Sequence, residues 1–373
     1  MSYTFGGFKR DDGTAGTRNY VGIVSSVICS SAVVREISEK VNGTIPIVHA
    51  NGCAQLGDDF KLTRNMLVGM STSPNVHSAL LVGLGCETNQ VGGLLRRIPK
   101  VKPVEGIGIQ QLAGGTNTIE KGVSIAEKWT EEADKQARTK LPMSQLTVGI
   151  LNVDMDEEAF VKAGSAVSEV VDKLVENDAK VIFGLSKTLE PAGDELSKRI
   201  IDPTDKENLS ESSKELKRYH WEDPSKNMRS DEFSAEETKL AALESKITGT
   251  HPINSIIDYG EFPEDSGLYM TKVSSNVVES LSKMASNGCN IVLIVSNRGV
   301  LTGSIALPCM TLAPENNESL FDELIDYSIE GNDGSDESEK IIQEMLEISS
   351  GKQSQLEKLE LGDFSIPHLG TTY

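Results

Sequence analysis

No apolar stretch in this chain is long enough to span a bilayer, and Met1-Ser2-Tyr3-Thr4-Phe5-Gly6-Gly7 lacks the basic-then-apolar layout of a secretory signal. The expected location is cytoplasmic, with no membrane partner. Cations are scarce as well: 36 Lys and Arg stand against 56 Asp and Glu, a formal net charge of -20. Such a surface repels nucleic acid and anionic lipid, so neither is an expected partner. An anionic substrate must then find local cations or a metal at its site. Much of the acid falls after Glu315, in segments that read as solvated helices, and a solubility surface accounts for it. Cysteine is sparse. Cys29, Cys53, Cys86, Cys289 and Cys309 are odd in number and form no C-x-x-C pair, which speaks against a disulfide framework and a structural zinc site. The dinucleotide fingerprint G-x-G-x-x-G with its downstream acid is also missing, which weakens a nucleotide-binding reading.

What is present is an alternation of short apolar runs with amphipathic stretches. The 373 residues suffice for two domains. Residues 1–18 read as an extended arm and 19–142 as a first α/β domain. Residues 143–373 read as a C-terminal α/β domain with a polar insertion at about 202–237. Tyr20 to Val27, Ile45 to Val48, Ala79 to Leu84 and Val104 to Ile109 read as strands of the first unit. Leu146 to Val153, Lys180 to Leu185 and Asn290 to Val295 read as strands of the second. Helical patterns separate them, so the expected fold is α/β, a Rossmann-like variant built on mainly parallel sheets. The chain is expected to end in two amphipathic helices flanking Gly331-Asn332-Asp333-Gly334-Ser335.

Several strand-like runs feed directly into polar, glycine-bearing segments. Val48 leads to His49-Ala50-Asn51-Gly52-Cys53, and Leu84 leads to Gly85-Cys86-Glu87-Thr88-Asn89-Gln90. Gln110-Gln111 and Gly114-Gly115-Thr116 follow the fourth run, and Ser296-Asn297-Arg298-Gly299 the last. Ligands of open α/β sheets sit outside the carboxyl ends of the strands. His49 and Cys53 can ligate a metal, His49 can act as a base, or it can be a hydrogen-bonded structural residue. Gly114-Gly115 ahead of a helix suits an anion. Arg18, in the glycine-bearing arm, can clamp a carboxylate. Together these loops suit a small polyhydroxy anion; singly, each is also an ordinary polar turn.

Phe8-Lys9-Arg10-Asp11-Asp12-Gly13 with Gly16-Thr17-Arg18-Asn19-Tyr20 resembles the G-Y-x-R-x-D-G-x-x-G-T-R-N-Y opening of the altronate and galactarate dehydratases. His49 to Cys53, Gly83 to Gln90 and Gly114-Gly115-Thr116 are similar to that family's next three signatures. Gly267-Leu268-Tyr269-Met270 and the segment from Arg298 to Pro308 fall in the same order. Glu244 and Lys246, before Gly249, resemble a further acid-lysine segment. The resemblance implies a hydro-lyase that dehydrates a sugar acid to a 2-keto-3-deoxy acid with a divalent metal, Fe2+ or Mn2+, with Mg2+ as an alternative. It implies His49, Cys53, Cys86 and Glu87 as metal ligands and His49, Glu87 and Lys246 as catalytic groups. Arg18, Asn19, Asn89, Gln90, Gly115, Thr116, Arg298 and Thr302 would bind substrate. It further implies a separate small β-clip subunit, because the chain starts where the family's linker begins, and a homodimer. Departures gather in the second unit. Asn152 to Asp156 stands where the family has C-G-G-S-D, and Lys187 to Glu190 where it has E-T-P-E. Thr271 stands for an Asp and Thr311 for a Lys. A sulfolactate lyase and a non-catalytic sugar-acid-binding subunit are therefore the alternatives.

Overall fold

A computed structural model describes residues 3–207, 209, 233–315, 321–331 and 335–369. Most of the polar insertion expected at 202–237, and residues 332–334 of the expected turn, lie outside the described residues.

The arm is itself a strand, β1 (Thr4–Lys9), which turns at Gly13 (φ 84°) and pairs antiparallel with β2 (Ala15–Gly16). The first unit follows with β3 (Tyr20–Ser25), β4 (Thr44–Ile47), β5 (Val76–Gly83) and β6 (Val104–Gly108). These four run parallel in the order β4-β3-β5-β6. Side chains of β3 and β5 alternate between two cores, as the two-residue period of a strand requires. Val21, Ile23, Leu80 and Val82 meet helices Ser31–Lys40 and Gly115–Asp134 on one face. Val24 and Leu81 belong to a second core on the other face, with Leu62 and Met66 of helix Gly57–Thr72. Strands covered on both faces are near-continuous apolar runs, which is why β3 and β5 stand out in the sequence.

The chain then returns through β7 (Thr139–Pro142), which pairs with β1, and enters the second unit. Its strands are β8 (Thr147–Val153), β9 (Lys180–Leu185), β10 (Ile253–Ile256), β11 (Gly267–Lys272) and β12 (Ile291–Ser296). A short β13 (Gly303–Ser304), then β14 (Cys309–Pro314), β15 (Tyr327–Ile329) and β16 (Gly362–Asp363) complete them. Seven form a parallel sheet in the order β10-β11-β9-β8-β12-β14-β15. The α/β fold read from the sequence is therefore the fold observed. One expectation fails: the segment after Pro308 is not helical but supplies β14 and the edge strand β15. Helix Ser335–Ser349 and the short Gln355–Lys358 come only later. β14 is buried along its whole length, so its apolar run carries neither helical nor alternating periodicity.

The strand order reverses between β3 and β5 in the small sheet and between β8 and β12 in the large one. Such switch points open a crevice at the carboxyl edge of a parallel sheet. The two units share a core: helix Val277–Ser286 of the second brings Leu281, Met284 and Ala285 into the cluster that holds Leu62, Met66 and Met70 of the first.

Candidate active site

At the carboxyl edge of the small sheet, three loops are laced together by backbone bonds. Ile28 N donates to Asn51 O at 2.9 Å, tying the loop after β3 to the loop after β4. Thr88 N donates to Gly52 O at 3.2 Å, tying that loop to the one after β5. Gly52 holds φ 111°, and a Cβ there would meet Ser26 O and the Val27 backbone, so the middle loop can lie this close only with glycine. Glu87 is buried and closes the third side. Its Oε2 accepts from Gly85 N at 2.6 Å and its Oε1 from the Ser26 hydroxyl at 3.1 Å. Such charge-assisted bonds fix the turn that presents Cys86. Cys29, Cys53 and Cys86 are all free and exposed on these loops. The turn after β6 delivers Gly114 (φ 134°) to the start of helix Gly115–Asp134, with Thr116 exposed.

The residues expected at the site divide sharply. Cys53, Cys86, Glu87, Asn89, Gln90, Gly115 and Thr116 lie on loops of this one edge. Asn89 is buried and donates to Phe60 O at 3.1 Å, while Gln90 is exposed and loosely bonded to Gly85 O. His49 also lies here, but both ring nitrogens are committed. Nε2 sits 3.0 Å from Ser25 O, and Nδ1 accepts from Asn51 N at 3.1 Å. Burial holds its pKa down at about 4. The ring is thus a neutral fastener between β3 and the loop after β4, with no lone pair left for a metal. Among the described residues no three His, Cys, Asp or Glu side chains stand ready to hold a metal ion, so the four-residue ligand set of His49, Cys53, Cys86 and Glu87 does not form.

Arg18 and Asn19 lie at the opposite, amino edge of the sheet. The Arg18 guanidinium donates to both Glu357 carboxylate oxygens, at 2.7 and 2.6 Å, and to the carbonyls of Thr17, Ile348 and Lys352. Asn19 accepts from Arg10 Nη1 and donates to Ala133 O. The expected carboxylate clamp is an internal one, spent on joining the units.

In the second unit the crevice between β8 and β12 is polar. Asp154 takes a positive φ (50°) and accepts from the Ser296 hydroxyl at 2.7 Å and from Asn297 N at 3.0 Å. The Asn297 side chain reaches Asp156 at 2.9 Å. Arg298 is exposed beyond them and Thr302 is half-buried. Lys246 points outward on helix Ala235–Ile247, while Glu244 is fully buried beside β9. It accepts from the Ser186 hydroxyl at 2.8 Å, and burial raises its pKa to about 7 despite hydrogen bonds from Asn152 and Ser186.

Comparison with protein families covers nearly the whole chain. Residues 7–134 match the D-galactarate dehydratase/altronate hydrolase second domain, and residues 143–372 match the D-galactarate/altronate dehydratase C-terminal domain. The chain belongs to this dehydratase family. It is 26% identical to an altronate dehydratase of Bacillus subtilis, over 99% of this chain and 78% of that one. It is 25% identical to a (2R)-sulfolactate sulfo-lyase subunit beta of Chromohalobacter salexigens, over 98% of this chain and 97% of that one. A galactarate dehydratase (L-threo-forming) of Escherichia coli is 27% identical over 83% of this chain and 65% of its own. Family membership makes the chain a lyase. Among the described residues no helix is long and apolar enough to cross a membrane.

Against this family background, sequence reasoning passed over two groups. Cys29 was set aside because its spacing from Cys53 and Cys86 matches no ligand motif; only its place just after a strand gave it away. Glu244 was noticed beside Lys246, and the lysine was favoured. The helical period separates them: with Ala241 and Ile247 buried, Glu244 shares the inward face and Lys246 does not.

Proposed function

We propose that this chain dehydrates a sugar acid of the altronate or galactarate class to a 2-keto-3-deoxy acid, as the large subunit of a two-component enzyme. The supporting observation is the laced edge of the small sheet: a switch-point crevice whose exposed groups are thiols, amides and a helix N-terminus. In the reaction the C2–H bond breaks, the 3-hydroxyl leaves as water, and the resulting enol becomes the ketone. Gln90, Thr116 and the free N–H groups at Gly115 are placed to hold carboxylate and hydroxyl oxygens. Arg298 supplies an exposed cation on the other unit. Glu244, with a pKa near 7, can hold or release a proton at neutral pH and takes the acid-base role expected of Lys246. The divalent metal, Fe2+ or Mn2+ with Mg2+ as the alternative, does not fit a His49-based set, and no step is drawn through it.

A relative named as a subunit supports a multi-subunit enzyme, and a small β-clip protein is the partner we propose, within a homodimer of the large chain. Ile28 and Leu56, exposed by 43% and 79% on the thiol-bearing loops, fit an edge that a partner covers. The test is a thiobarbiturate assay for 2-keto-3-deoxy acid on altronate and galactarate, with the chain alone and with its small partner. Product formation supports the reading. Absence of product from every sugar acid, with sulfite released from sulfolactate, would replace it with the second reading, which the sulfo-lyase relative favours.

A further inference from the structure

We propose that Cys29, Cys53 and Cys86 form a three-thiolate seat for iron, either as a single ion or as an iron–sulfur cluster with one coordination position left open. The inference rests on the reading of this edge as the lyase site, and it replaces the His49-centred ligand set with a sulfur-only one.

Four observations carry it. First, three of the chain's five cysteines sit on three consecutive strand-end loops, though 24 and 33 positions apart in sequence, and all three are exposed while Cys289 and Cys309 are buried. Second, the loops are fastened next to the sulfurs: Ile28–Asn51 and Thr88–Gly52 are backbone bonds one or two residues from each cysteine. Third, Cys29 Sγ lies 4.0 Å from Cys53 Sγ. Two thiolates on one tetrahedral metal, at ~2.3 Å each, stand about 3.8 Å apart, whereas a disulfide needs ~2.05 Å. The pair is set for a shared metal without backbone movement; Cys86 completes the set by turning its exposed side chain.

Fourth, the charges are one-sided. Partial desolvation, the contact with Cys29, and the nearby Cys86 and Glu87 all push the Cys53 thiol above its usual range. None of these neighbours is a cation. Crowding sulfur and carboxylate at one spot is unfavourable until a cation arrives, and a bound metal deprotonates its thiols outright. Soft thiolate ligands select iron–sulfur centres and other thiophilic metals over Mg2+ or Ca2+. An open fourth position at an exposed face is the arrangement of a catalytic rather than a structural centre, and a substrate oxygen can occupy it.

The test uses the full-length chain, reduced and anaerobic, incubated with Fe2+ alone and with Fe2+ plus sulfide, then desalted. Bound iron, acid-labile sulfide and the sulfur-to-iron absorption are measured, with circular dichroism to confirm folding. Wild type is expected to retain iron, and C29S, C53S and C86S each to lose at least tenfold of that retention while staying folded. C289A and H49Q should retain it in full. Sulfide bound with the iron identifies a cluster; iron without sulfide identifies the single-ion form. Iron retention unchanged in all three serine variants, or no iron on the folded wild-type chain, overturns the proposal. So does loss of iron from H49Q alone. None of these readouts involves sugar acids, so a chain that binds iron but dehydrates none of them disproves the assigned reaction and leaves the seat standing.

Discussion

Arg18 and His49 look alike as sequence features: a polar side chain in a short glycine-flanked segment. Structure gives each an internal partner instead of a ligand. Breaking the buried Arg18–Glu357 pair by removing one member leaves the other charge stranded, a loss of about 3–5 kcal/mol. R18M is therefore expected to lower the urea midpoint strongly while leaving the KM for substrate unchanged in whatever fraction stays folded. A raised KM at full stability would return Arg18 to the substrate. His49 makes a prediction with a sign. Its pKa falls from about 6.5 unfolded to about 4 folded, because burial disfavours the charged ring. Between those values the unfolded chain binds more protons, so stability is complete above pH 6.5 and drains as pH falls toward 4. A shift of this size corresponds to about 3 kcal/mol. H49Q keeps a polar side chain but cannot titrate, and its melting temperature should show a shallower slope than wild type across pH 6.5 to 4.

At the scale of loops and strands, glycines decide how close the site's walls can come. Gly83, the last residue of β5, faces the Glu87 carboxylate, and a methyl group there would run into Glu87 Oε1 and Val91. G83A should push Glu87 off its two donors and release the Cys86 turn. The expected result is at least tenfold lower activity, with about 1–3 kcal/mol lost in urea titration. Activity unchanged by G83A would mean that Glu87 does not shape the site. How far sequence reveals such features follows from the range of the forces involved. β3, β5, β8 and β12 are legible because strands buried on both faces write their burial into consecutive residues. β15 is three residues at a sheet edge and β10 four with partial burial, too short to write anything. Loop convergence was legible only as position: each polar packet follows a strand, so all on one sheet share an edge. Which packets share a sheet was not, because Arg18 meets a partner 339 residues away and the His49 ring is buried by tertiary packing alone.

Across the whole molecule, the two profile-matched segments behave as one body because polar and apolar joints coincide. Asn290, just before β12, is the polar hub. Its Oδ1 accepts from Thr147 N at 2.6 Å, its Nδ2 donates to Ala15 O, and its own carbonyl accepts from the Thr17 hydroxyl and from Asn75 Nδ2. All of these residues are buried, and they bring the arm, the amino edge of the small sheet and the start of β8 together. The apolar joint is the core shared by helices Gly57–Thr72 and Val277–Ser286. N290A removes the side-chain bonds and leaves the Thr147 amide and the Ala15 carbonyl unpaired, at about 1–3 kcal/mol for each group. If the shared core couples the units, N290A should still unfold in one transition, at a lower midpoint, with near- and far-ultraviolet circular dichroism coinciding. If the hub alone couples them, the same substitution should split the curve in two, the first unit melting apart from the second. A single shifted transition is the expected outcome: the apolar contact extends over several turns of both helices, whereas the hub is one side chain, and the loops at the carboxyl edge stay anchored to a body that moves as one.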